Sequence, residues 1–445
     1  MAQGIAIQVV ESLRKGIPPQ RGVDVYSVGN EELIDGIKKF LLSRIGEGGI
    51  IRFINGSWGA GKTHFFRLLR EVVSQNNCLV SNVELNVNDA VLNKFERIFS
   101  YIVRNISTEP YLSENDAAAF GQVLKESLAY LSTGSRELSK EVSYENYVKA
   151  REALILDMSI DIDFKKMIQK YWETFLPLYL YPGMDEDPTR GEILQWSMGE
   201  TQKEIRGEIL QWFCGEGGLA RYRNRFEVNK MVNKDNAQLM LQSIAGFVRL
   251  SGYKGLVILF DEAQQAYSIM RNMRKSPLRD AHNNLLSLID IEALKGLFII
   301  YATTPDFFTD PKYGIVTFGA LSKRVGKPEP QRQPRALDTI WNFDRVVTEL
   351  SDYQTAANRI LSVYATAYPE ARRKLPSEIK VECFVKELYE IHPELSAVGF
   401  WRVLLTALIT HFDDHIGEEI RSAETMYDDV MDRLRQESFW KLVGK

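Results

Sequence analysis

The spacing of apolar residues along the chain predicts an α/β fold built on a parallel sheet. Residues 256–260 and 297–301 are uninterrupted apolar runs, which is typical of strands buried on both faces of such a sheet. Residues 51–54 and the stretch "CLVSNVELNV" (78–87) add two strands, the second with Glu84 or Asn86 near its end. Elsewhere apolar residues recur every three or four positions, which predicts helices.

A glycine-rich stretch, "NGSWGAGKTHFF" (55–66), separates the first predicted strand from a predicted helix, and residues 56–63 match G-x-x-x-x-G-K-[ST]. Glycines allow successive backbone N–H groups to surround an anion, and the following helix points its positive end at the same place. Lys62 is predicted to contact the β- and γ-phosphates of a nucleoside triphosphate, and Thr63 to bind Mg²⁺. The predicted binding loop comprises Gly56, Ser57, Trp58, Gly59, Ala60, Gly61, Lys62, Thr63 and His64.

Paired carboxylates, Asp261 and Glu262, end the apolar run in "GYKGLVILFDEAQQAY". Acidic side chains at the end of a buried strand are costly unless they meet a cation or handle a proton. We assign Asp261 to the Mg²⁺ shell and Glu262 to polarising the attacking water. The alternative is a strand end whose acids point into solvent.

Small hydroxyl residues, Thr303 and Thr304, follow the apolar run in "LKGLFIIYATTPDFF". Either hydroxyl is a candidate to hydrogen-bond the γ-phosphate or the attacking water, and so to report whether that phosphate is present. The alternative is an ordinary strand-to-loop cap, which Ser and Thr often make.

The bulk composition is that of a globular protein without membrane spans. The 445 residues suggest two or three domains, or one domain with large insertions. No apolar run reaches the roughly 18 residues of a membrane span, and the first 20 residues form an amphipathic helix pattern rather than a signal peptide. The three cysteines and five histidines are scattered without metal-ligand spacing. A reduced, cytoplasmic protein is expected.

The net charge of −4 gives no overall attraction to nucleic acid, so DNA contact requires a local basic patch. The segment "RNMRKSPLRD" supplies Arg271, Arg274, Lys275 and Arg279, which suit salt-dependent, sequence-independent contacts with the phosphates of double-stranded DNA. The alternative is a solvated helix end.

The stretch between the second strand and the run at 256–260 reads mainly as helices, which predicts an α-helical insertion over residues 91–234. It contains an internal repeat, "RGEILQW", at 190–196 and 206–212. An offset of 16 residues on one helix would leave the two tryptophans about 160° apart, so two short helices in a hairpin, each burying its tryptophan, fit better. A duplicated partner-docking surface is the functional alternative.

The order of these motifs resembles Walker A, Walker B and sensor 1 of the AAA+ ATPases. The stretches "KGIPPQRGVDVYSVG" and "GYKGLVILFDEA" narrow the resemblance to the small P-loop ATPases of bacterial BREX-type phage-defence islands, the D component and its relatives. It covers roughly residues 5–412. The resemblance implies a P-loop NTPase fold of the AAA+ (ASCE) type that binds ATP and Mg²⁺ and hydrolyses ATP.

The resemblance also implies a domain plan and further site residues. Residues 1–50 would form lead helices and the adenine-side segment, 51–90 and 235–335 the α/β core, 91–234 the insertion and 336–445 a C-terminal helical lid. Val25, Tyr26 and Val28 would lie over the adenine. Arg324 would reach the γ-phosphate of a neighbouring subunit, although nearby basic residues could substitute, and Arg402 would contact the nucleotide from the lid unless it is a solvated helix edge.

The resulting hypothesis is an ATP-hydrolysing protein of an anti-phage system, acting at DNA as a homo-oligomer together with other proteins of a defence operon. The alternative is a slow ATP-dependent switch that assembles partner proteins without touching DNA. A P-loop kinase is disfavoured, because Asp261 and Glu262 suit water activation and no acceptor-substrate motif is evident.

Overall fold

A single mixed sheet forms the centre of the molecule. The computed structural model describes residues 1–57, 60–85, 93–107, 118–136, 143–176, 200–261, 275–289, 295–329, 333–345, 348–392 and 399–443. Within them, six strands pair in the order β3-β2-β4-β5-β1-β6. The strands are β1 (Ile50–Asn55), β2 (Leu79–Glu84), β3 (Ile106–Ser107), β4 (Leu256–Asp261), β5 (Leu297–Thr303) and β6 (Ile340–Asn342). β3 runs antiparallel to β2 and the other neighbours pair in parallel, so the predicted α/β class is confirmed.

The two central apolar strands, β4 and β5, are buried along their whole length. Each lies between two neighbouring strands and is covered by packed elements on both faces, which explains why their sequences carry no polar alternation. β5 lies between β1 and β4, so the strand that ends in Asp261 is not adjacent to the strand that leads into the glycine loop. The carboxyl ends of β1, β4 and β5 therefore meet at one edge of the sheet.

The last strand, β6, comes from the segment that the sequence analysis assigns to the lid. It pairs in parallel with β1, from Phe53 opposite Ile340 to Asn55 opposite Asn342. Trp341 is fully buried, and its indole N–H donates to the Arg335 carbonyl at 3.0 Å. Three residues are too few for a periodic signal, which is why no strand is predicted here.

Helices precede and follow the glycine loop on the N-terminal side of the chain. They are α1 (Gln3–Arg14), α2 (Val23–Tyr26), α3 (Glu31–Gly36) and α4 (Lys62–Gln75), with a π-helical turn at Ile37–Leu41 and a 3₁₀ turn at Leu42–Arg44. α4 buries Phe65, Leu68, Leu69 and Val72, whose helical spacing is visible in the sequence. The predicted helix after the loop is therefore confirmed.

The insertion is helical throughout its described parts, apart from the short strand β3. Its helices are α5 (Phe95–Arg104), α6 (Ala118–Thr133), α7 (Tyr144–Leu156), α8 (Ile162–Glu173), α9 (Glu200–Phe213) and α10 (Leu219–Phe226). The next helix, α11 (Ala237–Leu250), belongs to the second segment of the predicted α/β core and packs with them. Their buried residues join those on one face of the sheet in a continuous hydrophobic core, with Trp172 and Trp212 among the largest members.

The second copy of the repeat, 206–212, lies within α9. Trp212 is fully buried against Phe164, and its indole N–H donates to the Lys230 carbonyl at 3.0 Å. A tryptophan packed in this way serves the core. The first copy, 190–196, lies outside the described residues, so the helical hairpin of the two copies stays a prediction.

The rest of the chain comprises short helices beside the sheet and a bundle at the C-terminal side. The former are α12 (Lys275–Ile289), α13 (Pro305–Thr309) and α14 (Gly319–Val325), with 3₁₀ turns at Ile315–Thr317 and Phe343–Arg345; a further 3₁₀ turn, Pro369–Ala371, lies in the bundle. The latter are α15 (Leu350–Ala367), α16 (Glu378–Ile391), α17 (Phe400–Gly417) and α18 (Ala423–Val443). α1 packs among these four helices, sharing one core with them. We call α1 and α15–α18 the C-terminal bundle.

The predicted N-terminal amphipathic helix is confirmed as α1, which buries Ala6, Val9, Val10 and Leu13. Among the helices that the structure describes, none is long and apolar enough to cross a membrane.

Candidate functional site

The glycine loop leads from the end of β1 into the first turn of α4. Gly61 has φ +83°, a left-handed conformation that strains any residue with a Cβ. A Cβ on Gly56 would lie 3.0 Å from the Ala60 Cβ and 3.2 Å from the Phe343 Cβ. Gly61 is therefore favoured by its backbone conformation, and Gly56 by the close approach of its neighbours. Trp58 and Gly59 fall outside the described residues.

Lys62 lies at the N-terminus of α4 and is 7% exposed. Its ammonium group donates to the Gly56 carbonyl at 2.6 Å and to the Ser57 carbonyl at 2.9 Å. The Ala60 N–H donates to the Ser57 carbonyl at 3.2 Å, so the loop curves around the lysine. A fixed positive charge beside backbone N–H groups at a helix N-terminus is the arrangement that binds a phosphate anion.

Asp344 anchors the beginning of the loop from the 3₁₀ turn after β6. The Ser57 N–H donates to one carboxylate oxygen at 2.7 Å, and the Ser57 hydroxyl donates to the other at 3.0 Å. These contacts occupy the polar groups of Ser57, one of the predicted loop residues. The sequence analysis missed Asp344, because the two residues are 287 positions apart and only the pairing of β6 with β1 brings them together.

The end of β5 lies directly beside the start of the loop. Asn55 pairs with Thr303 in register, and the Gly56 N–H donates to the Thr303 carbonyl at 3.1 Å. Thr303 is fully buried, and its hydroxyl makes no hydrogen bond with the described residues. Thr304 is 9% exposed at the start of α13, and its side chain makes no capping hydrogen bond to that helix. The structure therefore brings the predicted hydroxyl residues to the loop.

A cavity of about 90 Å³ opens between α4 and the ends of β2 and β4. Thr63 and Asp261 both line it, together with Arg70, Asn82 and Glu84. Asp261 is 5% exposed and pairs in register with Glu84 on the neighbouring strand. Glu262 falls outside the described residues. Both predicted Mg²⁺ ligands, Thr63 and Asp261, thus line one small cavity.

The donor chemistry of this cavity fits Mg²⁺. A threonine hydroxyl and a carboxylate are hard oxygen ligands, and Mg²⁺ is usually held by one or two protein groups plus water and substrate phosphates. Among the residues that the structure describes, no three His, Cys, Asp or Glu side chains form a metal cluster.

The predicted adenine-side segment lies against α4. Tyr26 is 2% exposed, with its ring edge-to-face against His64 at 5.5 Å and its hydroxyl 3.5 Å from the His64 Nδ1. Val25 is 36% exposed and Val28 is half-buried. Burial, followed by the charge of Arg67, lowers the pKa of His64 to about 4, so its ring is neutral at neutral pH.

The two predicted arginines lie on different helices. Arg324 is exposed on α14, and its guanidinium donates to the Ala320 carbonyl of the same helix at 3.2 Å. Arg402 is half-buried on α17, next to Gly16 in the turn after α1. The first is exposed on a helix beside the sheet, and the second belongs to the C-terminal bundle.

The basic segment is described only in part. Arg279 is exposed on α12. Arg271, Arg274 and the side chain of Lys275 lie outside the described residues.

The family model for the BREX system ATP-binding protein BrxC/D matches residues 2–413 of the 445. The chain belongs to this family. The suspected resemblance, over roughly residues 5–412, is thereby confirmed. Comparison with curated proteins and with solved structures finds no significant match.

Membership of the BREX ATP-binding family identifies the chain as an ATP-binding protein of a phage-defence system. The match includes the glycine loop, all six strands of the described sheet and most of the C-terminal bundle. ATP is accordingly the nucleotide to consider at the loop.

Proposed function

We propose that the chain is an AAA+ P-loop ATPase of a bacterial BREX-type defence system. The observation that carries the proposal is the convergence of four predicted residues on one loop. Lys62 is held inside the loop, and Thr63 and Asp261 line the adjoining cavity. Thr303, whose hydroxyl is buried, lies beside the loop and accepts the Gly56 N–H through its backbone carbonyl. These are the groups needed to neutralise, orient and sense a triphosphate.

The strand order supports the fold part of the proposal. A strand inserted between the loop strand and the acidic strand places a third polar strand end, that of β5, at the same edge of the sheet. This is the arrangement expected of the ASCE-type core. In this proposal the helices between β2 and β4 form the insertion, and α15–α18 of the C-terminal bundle form the lid.

Each residue has a chemical task in the proposed hydrolysis. Lys62 stabilises the charge on the β- and γ-phosphates, and the loop N–H groups add fixed dipoles. Thr63 and Asp261 would hold Mg²⁺, which supplies further charge neutralisation when bound. Glu262 accepts a proton from water as the water oxygen attacks the γ-phosphorus and the bond to the bridging oxygen of ADP breaks.

The test is ATP binding and steady-state hydrolysis by the full chain. Lys62→Ala is expected to weaken ATP affinity by about 100-fold or more, because a charge-assisted contact at a buried site is lost. Glu262→Gln is expected to keep ATP affinity and to lower kcat by roughly 100-fold to 1,000-fold. Lys234→Ala, at an exposed lysine outside the site, is the matched control and should change neither. Wild-type affinity in Lys62→Ala would contradict the proposed site.

We further propose that the protein acts at DNA, supported by the exposed Arg279 in the basic segment. Two quantities are measured: the affinity for double-stranded DNA, and the rate of ATP hydrolysis with and without that DNA. The wild type is compared with a variant in which Arg271, Arg274, Lys275 and Arg279 are all changed to Glu. Loss of DNA binding at low salt, with ATP affinity retained, is the expected result. Slow turnover that ignores DNA, with Glu262→Gln locking an assembly, would favour the regulatory switch instead.

A homo-oligomer completes the proposal, with Arg324 acting on the ATP of a neighbouring subunit. Its exposure on α14 is what a contact in trans requires. Arg324→Ala and Lys62→Ala should each be inactive alone, yet mixing them should restore part of the hydrolysis, since each supplies what the other lacks. A mixture as inactive as its components would exclude the contact in trans.

A further inference from the structure

The short segment from Gly22 to Ser27 lies between the helix that carries Lys62 and the C-terminal bundle. Its helix α2 packs against both α4 and α15. The Glu71 carboxylate of α4 is 4% exposed and accepts from the N–H of Gly22 at 2.9 Å and of Val23 at 3.4 Å. The segment is therefore fastened to α4 by its backbone.

Ser27 contacts both neighbours of this segment. Its hydroxyl donates to the Val23 carbonyl at 2.7 Å and lies 2.8 Å from the His64 Nε2. Its carbonyl accepts a hydrogen bond from the Arg359 Nη1 of α15 at 2.6 Å. One residue thus joins the first turn of α4 to the C-terminal bundle.

The proton count fixes the direction of these bonds. Because the Ser27 hydroxyl has one proton and gives it to Val23, the His64 Nε2 must be the donor to Ser27. The His64 Nδ1 is then the acceptor for the Tyr26 hydroxyl, at 3.5 Å. A neutral ring with this tautomer satisfies every contact, so the orientation of His64 is fixed by the segment.

His64 immediately follows Lys62 and Thr63 in the first turn of α4, so displacing its ring would displace the groups that face the phosphates. We propose that Arg359 is a positioning residue for ATP binding, which acts through Ser27 and His64 to couple the C-terminal bundle to the glycine loop. This inference rests on the proposed ATP site and names the contacts through which the bundle affects it.

The exposure of Arg359 makes the inference testable without unfolding the protein. An exposed arginine that makes a surface hydrogen bond contributes little to global stability. A loss of ATP affinity on its removal would therefore report coupling. Arg373, also exposed on the C-terminal side and without contact to Ser27, offers a matched control.

The experiment measures two quantities in the full chain for the wild type, Arg359→Gln, Arg359→Lys and Arg373→Gln. One is the Kd for ATP. The other is the distance between the sheet region and the bundle, from energy transfer between a dye on the exposed Cys383 of α16 and a second dye on Glu47→Cys, an exposed turn position before β1. The two buried cysteines, Cys78 and Cys214, should not react.

Arg359→Gln is expected to weaken ATP affinity about threefold to tenfold and to reduce the change in energy transfer on adding ATP, because a hydrogen bond to a charged group is lost. Arg359→Lys should restore most of both, and Arg373→Gln should match the wild type. Adding Ser27→Ala to Arg359→Gln should weaken affinity no further, since both changes break one relay.

Wild-type affinity and energy transfer in Arg359→Gln would overturn the inference while leaving the ATP site intact. An equal loss in Arg373→Gln would overturn it too, because the effect would then be one of surface charge. A wild-type chain that binds no ATP would overturn the proposed function and this inference together.

Discussion

Two clusters of polar side chains in the molecule differ in whether their buried groups have hydrogen-bond partners. At the edge of the sheet, the Thr303 hydroxyl and the Asn55 side-chain Oδ1 are buried and make no hydrogen bond with the described residues. In the C-terminal bundle, Asp413 accepts from Arg14 at 2.9 and 3.1 Å and from the Tyr364 hydroxyl at 2.5 Å. The Tyr368 hydroxyl similarly donates to Glu11 at 3.0 Å.

The larger opening lies beside the satisfied cluster. The groove lined by Arg14, Tyr364 and Asp413 has a volume of about 410 Å³, against about 90 Å³ for the cavity lined by Thr63 and Asp261. Volume alone would select the groove. A buried polar group without a partner costs roughly 1–3 kcal/mol, so its presence requires an explanation that paired groups do not. The ATP site proposed at the sheet edge would supply that explanation, whereas the paired groups of the bundle cluster are explained by their contribution to stability.

The largest effect that tests this contrast is expected for Thr303→Val. Valine has nearly the same shape without the hydroxyl, so the free energy of unfolding should stay unchanged or rise. If the hydroxyl contacts the reacting phosphate or water, kcat for ATP hydrolysis should fall by about tenfold to 100-fold. Chemical denaturation and steady-state kinetics measure the two effects separately.

Ser81→Ala is the control for Thr303→Val. Ser81 is also fully buried on the sheet, but its hydroxyl donates to the Ile102 carbonyl at 2.8 Å. Its loss should lower stability by about 1 kcal/mol and leave kcat unchanged. A Thr303→Val protein with wild-type kcat would remove the sensing role and with it the reason for the unpaired hydroxyl.

Most of the sheet could be predicted from the sequence, because its strands are long and apolar. β4 and β5 were predicted from uninterrupted apolar runs and β1 from β-favouring residues before a glycine loop. β6 was not, since three residues give no period and their burial depends on pairing with β1. The packing of α1 among the C-terminal helices could not be predicted either, because an amphipathic pattern does not indicate which element covers the apolar face.

The candidate site likewise contains some residues that the sequence predicts and others that only the structure reveals. Lys62 and Thr63 follow from a local motif whose glycines and helix start lie within ten residues of one another. Asp344 contacts Ser57 of the loop from 287 positions further along the chain, and Arg359 contacts Ser27 from 332 positions further along. The sheet pairing brings the first pair together, and the packing of the bundle brings the second. No spacing rule links residues so distant, so only the structure could reveal them. The roles of all the candidate site residues, including Glu262, Arg324 and Arg402, stay predictions.

A smaller effect, confined to stability, is expected for Asp413→Ala in the bundle cluster. It removes both hydrogen bonds from Arg14 and one from Tyr364, but the Arg14 and Asp413 side chains are 31% and 38% exposed, so solvent screens part of the loss. We expect a destabilisation of about 1–2 kcal/mol by urea unfolding and an ATP Kd within about twofold of the wild type. Asp429→Ala, which breaks a more exposed pair with Arg421, should cost less. A large loss of ATP affinity in Asp413→Ala would indicate instead that the groove takes part in binding ATP.

The smallest effect concerns a buried group without partners that lies far from the loop. Both ring nitrogens of His411 in α17 lack hydrogen bonds with the described residues, and the ring stacks on Phe384 at 3.9 Å with an interplanar angle of 8°. Burial, with a smaller contribution from His415, lowers the pKa of His411 from 6.5 to about 4. An apolar ring stack accounts for these features, so His411→Phe should leave ATP affinity unchanged.

His411→Phe should also change how the free energy of unfolding depends on pH in acid. As the pH falls from about 7 towards 4, His411 becomes protonated in the unfolded chain but not in the folded chain. The contribution of His411 to the free energy of unfolding is therefore fully present above pH 6.5 and declines below it. At about 1.4 kcal/mol per pH unit, the wild type should lose about 1 kcal/mol more than His411→Phe between roughly pH 7 and pH 5.5. His282→Phe, at a buried histidine of α12 whose pKa burial also lowers to about 4, should give a similar difference beside the sheet. Equal losses in the wild type and both variants would show that these rings are not buried in neutral form.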